Sequence, residues 1–118
     1  LHFEAVPEQQ FLILSNQNDD TQVSTTFFED TPAWVNAMRQ SYCATRDLNG
    51  VNYYLTTVSE SVHVVSPRDE LYSGSVAGTV MSDWLAGAIS DPDQVQSKVE
   101  EGTLVDDIEG VDVFPCEL

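Results

Sequence analysis

Val51-Asn52-Tyr53-Tyr54-Leu55-Thr56-Thr57-Val58-Ser59-Glu60-Ser61-Val62-His63-Val64-Val65 is the stretch whose reading decides the fold. Val51, Tyr53, Leu55 and Thr57 point one way and Asn52, Tyr54, Thr56 and Val58 the other, the period-two alternation of a half-buried strand. A polar turn at Ser59-Glu60-Ser61 leads into a second short strand, Val62 to Val65. Helical patterns flank the pair on both sides, which makes this hairpin the centre of a sheet.

Upstream, Phe11-Leu12-Ile13-Leu14 is a continuous apolar run of strand length, and Asn16 to Asp20 is turn chemistry, since Asn and Asp bond to their own backbone. Gln22 to Phe28 alternates as another strand, pairing with the first in an N-terminal hairpin. Glu29-Asp30-Thr31-Pro32 starts a helix: Thr31 caps, Pro32 fits the first turn, and the carboxylates face the positive end of the dipole. Trp34, Val35, Met38 and Tyr42 fall on its inner face and Arg39 outside, and Asn49-Gly50 ends it. Residues 1–10, with Pro7, read as an arm or an edge strand.

Downstream, Ser66 to Glu70 breaks the sheet pattern, and a second helix is predicted from Val76 to Ile89. Val80, Met81, Trp84, Leu85 and Ala88 make a wide apolar face that reads as core. Gly78 and Gly87 each weaken this helix by ~1 kcal/mol against Ala, which points to close packing or a local break. Asp91-Pro92-Asp93-Gln94 opens a short third helix ending at Gly102, and Val111 to Phe114 reads as a last strand. The predicted fold is a single α+β domain over residues 1–118. An antiparallel sheet carries two or three helices on one face, in a split βαββαβ-like order with an extra N-terminal strand.

Eleven Asp and nine Glu stand against Arg39, Arg46, Arg68 and Lys98, a formal net charge of −16. Such a surface repels phosphate backbones and anionic headgroups, so nucleic acid is the partner class that fits least and a basic protein fits better. No apolar run approaches the ~20 residues that span a bilayer. Cys43 and Cys116 are the two cysteines. A chain almost without lysine, with its second cysteine placed where a staple would hold a chain end, leads us to expect a Cys43–Cys116 disulfide and an oxidising compartment. The start at Leu1, without a basic and apolar leader, suits a mature secreted form.

Chemistry-bearing constellations are few. His63 with Glu60, Asp69 and Tyr53 or Tyr54 is the set that resembles an acid–base pair, although the bland reading of His63 is a solvent-facing strand histidine. The string Tyr72-Ser73-Gly74-Ser75-Val76 lacks the glycine spacing of a nucleophile elbow. No phosphate-binding loop, dinucleotide fingerprint or zinc spacing is present, and no cofactor is expected. The acidic C-terminal quarter (Asp91, Asp93, Glu100, Glu101, Asp106, Asp107, Glu109, Asp112 and Glu117) lacks EF-hand spacing and reads as a solvated or partner-docking face, with no metal site expected.

These readings lead to a small secreted, non-catalytic interaction protein, an effector, toxin-like factor or inhibitor. Tyr54, His63 and Arg68 are its candidate binding residues. A small extracellular hydrolase using His63 with a nearby carboxylate is the alternative, and a salt-adapted structural or binding protein is the third.

Overall fold

The structure, a computed structural model, describes residues 10–24, 27–57, 75–100 and 105–117. The described elements are β1 (Phe11–Asn16), α1 (Asp20–Ser24), α2 (Thr31–Thr45), β2 (Val51–Thr56), β3 (Ser75–Val76), β4 (Thr79–Val80), α3 (Met81–Ser90) and β5 (Lys98–Val99). The polar turn at 59–61, the second hairpin strand at 62–65, the break at 66–70 and the arm at 1–9 lie outside the described residues.

The fold is mixed helix and strand, but its main sheet is parallel rather than antiparallel. Strand order is β1-β2-β5, with Phe11 opposite Val51, Asn16 opposite Thr56, and Leu55 opposite Val99. The physical reason lies in β2. Parallel strands are covered on both faces, and Val51, Tyr53, Tyr54 and Leu55 are all buried, so the apparent alternation hides a strand with two apolar faces. The tyrosines tolerate this because each hydroxyl finds a partner, Tyr53 with the Thr45 hydroxyl at 2.7 Å and Tyr54 with the Thr79 carbonyl at 2.7 Å.

Nor do the helices share one face. Phe11, Ile13, Val51, Tyr53, Leu55 and Val99 pack toward Met38 and Tyr42 of α2. Leu12, Leu14 and Tyr54 pack on the opposite side against Val76, Met81, Trp84 and Leu85. The β3-β4 hairpin and α3 therefore cover one face of the sheet and α2 the other.

In place of the predicted strand over Gln22–Phe28, residues 22–24 belong to α1 and residues 27–28 form a bend; 25–26 lie outside the described residues. The Asp19 carboxylate accepts from the Thr21 amide at 3.1 Å, and Val23 and Phe28 reach the core beside Trp34 without entering a sheet. Helix α2 forms as predicted, with its cap moved by one residue: the Asp30 carboxylate accepts from the Ala33 amide at 2.8 Å. It ends at Thr45, earlier than the predicted stop at Asn49-Gly50, and Gly50 at φ 78° instead lies in the turn that leads into β2.

The second helix starts five residues later than predicted from Val76, at Met81. Ala77 (φ 48°) and Gly78 (φ 77°) form the two-residue turn of the β3-β4 hairpin, where a right-handed helix cannot pass. The predicted helix over 91–102 is a turn at 92–94 followed by β5, which supplies the hydrogen bonds that the open edge of β2 requires, including Glu100 N–H to the Leu55 carbonyl at 3.0 Å. Val111–Phe114 forms no strand and is held against α2 instead. Asn36 Oδ1 accepts from the Asp112 amide at 2.8 Å and Asn36 Nδ2 donates to the Gly110 carbonyl at 2.9 Å. Cys43 and Cys116 form the expected disulfide, with Cα atoms 5.7 Å apart, so the staple ties α2 to this C-terminal segment.

Candidate functional site

In parallel sheets the usual place for a ligand is the crevice beyond the carboxyl ends of the strands. Here those ends meet at Gln17, which is fully buried. Its amide continues the ladder by donating to the Thr56 carbonyl at 2.9 Å. Its side-chain nitrogen donates to the Glu100 carbonyl at 3.1 Å and the Thr57 hydroxyl at 3.3 Å, while its oxygen accepts from Arg39 Nε at 3.1 Å. Glu100 closes the same end by accepting from the Thr57 amide at 2.5 Å, and the Trp34 indole donates to the Asn16 carbonyl at 3.3 Å.

Arg39 is the centre of this plug, and the expectation that it lies outside is reversed: it is 1% exposed. Besides Gln17, it donates to the Asp112 carbonyl at 2.7 Å and to Asp106 Oδ1 at 2.5 Å. Its plane lies over the Phe114 ring. A planar guanidinium with several fixed donors suits such a buried hub, where a lysine would satisfy fewer acceptors. Position alone could have revealed it: Arg39 is four residues after Val35 and three before Tyr42, in the middle of the inner stripe.

Tyr54, read as a binding residue on an open face, is 1% exposed between Val76 and Trp84. Burial, reinforced by the negative charge of Glu100, holds its hydroxyl above the ordinary value of 10.0, against a smaller backbone hydrogen-bond effect. It serves the core and presents no partner surface. His63 and Arg68 lie outside the described residues, as does Glu101. The remaining carboxylates of the C-terminal quarter do not form one cluster. Glu100 and Asp106 are engaged as above, Asp91 and Asp93 follow α3, and Asp107, Glu109 and Asp112 are exposed near α2. Gly110 stacks on Pro32, which brings Glu109 beside the helix start carrying Glu29 and Asp30.

The described surface includes a small recess and a wider groove. The recess, beside Arg39 and Val113, holds about 40 Å³, room for a few water molecules at most. The other, about 280 Å³, runs between α3 and residues 94–98. Gly87, Ala88 and Val95 line it, the Trp84 indole donates across its base to the Gln96 carbonyl at 2.7 Å, and Asp83, Asp91 and Lys98 supply its charges.

Among the described residues no three His, Cys, Asp or Glu side chains converge as a cation site. Both cysteines are consumed by the disulfide, so neither offers a thiolate. No helix among the described residues is long and apolar enough to cross a membrane. No protein-family model, curated protein or solved structure matches this chain.

Proposed function

We propose that this chain is a small secreted protein that acts without catalysis, binding a basic macromolecular partner in the manner of an effector, toxin-like factor or inhibitor. The observation that carries the reading is the closure of the strand ends by Gln17, Arg39 and Glu100. Where a parallel sheet would ordinarily admit a substrate, the described side chains satisfy one another. The polar groups of Gln17 and Glu100 are committed to tying the strand ends together, and those of Arg39 to joining them to Asp106 and Asp112.

The surface supports the choice of partner. Arg39 is internal, while Glu29, Asp30, Asp107, Glu109 and Asp112 are exposed. A field of this sign speeds encounter with a cationic protein and opposes anionic ones, an effect that salt screens over about 8 Å at physiological strength. The disulfide and a net charge of −16 agree with an extracellular setting.

The test is fluorescence anisotropy with labelled peptides of matched length that are cationic, neutral or anionic, each at low and high sodium chloride. Preferential binding of the cationic peptide, weakening as salt rises, is expected. Equal indifference to all three at low salt would refute the proposal.

A further inference from the structure

We infer that the groove between α3 and residues 94–98 is a binding site for a single cationic side chain, lysine or arginine, presented by a protein partner. This rests on the proposed basic partner and assigns the place where it is gripped. The starting point is Gly87. It lies inside a regular helix without a positive φ, and a Cβ built on it would meet nothing within 4 Å. Neither backbone conformation nor close packing requires glycine there, and glycine is among the poorest residues for a helix interior. What its missing side chain does is leave the wall of the groove open.

The lining suits a long amphipathic occupant. Gly87, Ala88 and Val95 offer an apolar surface for a methylene stem. Asp83 and Asp91 stand at the two ends of the helix wall, roughly 12 Å apart along the axis at 1.5 Å per residue, so a cation entering from either end meets a carboxylate. Lys98 is the one cation of the lining and faces α3 from the sheet side, because it pairs with Tyr54, whose side chain points to that face. The balance of the three charges is negative, and the cationic head is directed to the helix wall, away from Lys98. At about 280 Å³ the groove is below the usual range for drug-sized ligands and large enough for one side chain.

The experiment is a titration followed by amide nuclear magnetic resonance of the full chain with its disulfide intact. The probe is a short glycine-rich peptide carrying one arginine, with its citrulline counterpart as the neutral isostere. Saturable shifts at Gly87, Ala88, Val95 and the Trp84 indole are expected for arginine and not for citrulline. Gly87→Leu, which fills open space, should weaken binding at least about tenfold, Asp83→Asn with Asp91→Asn should do the same without added bulk, and Lys98→Ala should tighten it about threefold. Arginine-dependent shifts elsewhere, unchanged by Gly87→Leu and by the paired aspartate substitutions, would overturn the groove while leaving the basic-partner reading standing. Failure of the arginine peptide to bind anywhere, together with failure of cationic peptides in general, would overturn both.

Discussion

The guanidinium carbon of Arg39 lies 4.4 Å from the centroid of the Phe114 ring, joining the middle of α2 to the C-terminal segment. Stacking of this kind, added to hydrogen bonds to Gln17, Asp106 and Asp112, makes one side chain responsible for docking that segment. Arg39→Met keeps the stem and loses the donors, leaving the Gln17 oxygen and the Asp112 carbonyl without them. We expect a loss of about 2–3 kcal/mol, below the 3–5 kcal/mol typical of breaking a buried pair, because Asp106 is a third exposed and can regain water. Urea unfolding measures it, and an unchanged midpoint would refute the hub.

Tyr54 predicts an alkaline limit. Its folded-state pKa is raised, chiefly by burial, so the folded protein holds that proton more tightly than the unfolded chain does. The resulting stability is complete below the ordinary value of 10.0 and is lost as pH rises from there through the folded value. Comparing urea midpoints from about pH 8 to pH 11, the native chain should lose stability above about pH 10 more steeply than Tyr54→Phe. Parallel profiles would show that the Tyr54 hydroxyl titrates as freely as it does in the unfolded chain.

The disulfide spans 73 residues of sequence, which corresponds to about 4 kcal/mol on the chain-entropy model. Replacing both Cys43 and Cys116 by Ala should lower stability by up to that amount. The segment should nevertheless stay docked, because Asn36 and Arg39 hold it independently. Hydrogen exchange at the Asp112 amide is the readout, and full exposure of that amide in a folded variant would contradict the claim.

Two glycines of one predicted helix should answer substitution with opposite signs. Gly87→Ala meets no neighbour and should raise stability by up to about 1 kcal/mol. Gly78→Ala imposes a side chain at φ +77° and should cost about 1–2 kcal/mol. Thermal melts of the two variants give the comparison, and shifts of the same sign would contradict the turn at 77–78.

Those glycines also show where sequence reading stops. A continuous helix from Val76 is what the apolar spacing suggests, and Gly78 marks the break, yet nothing local tells that the break is a hairpin. Arg39 was legible by position and obscured by its charge, because a guanidinium at the centre of an apolar stripe is only affordable when acceptors from distant segments converge on it. β5 pairs through only two residues and carries no periodicity to read, and the parallel pairing of β1 with β2 is hidden because Gln22 to Phe28 reads as a strand that would pair with β1 first. The disulfide was legible because the chain is nearly without lysine and its second cysteine stands where a staple would hold a chain end. The groove at Gly87 was half visible, as a helix residue without a reason, and needed the fold to show that its neighbourhood is empty.

Cys43–Cys116 divides the oxidised chain into a closed circuit and a tail. β2, the β3-β4 hairpin, α3 and β5 lie on the circuit, whereas β1, α1 and most of α2 belong to the tail. A single peptide-bond cut within the circuit releases no fragment. A cut at 27–30, between α1 and α2, severs the covalent connection of β1 to its partner strand and leaves it held by non-covalent contacts alone: the parallel ladder from Phe11 to Asn16, the hydrogen bonds of Gln17 and the packing of Phe11 to Leu14. Loss of β1 would bare one edge of β2, an edge that the same strand from a second copy fits in register. Exchange of this sheet's strands between copies is thus confined to one edge, with the other two strands kept inside the ring.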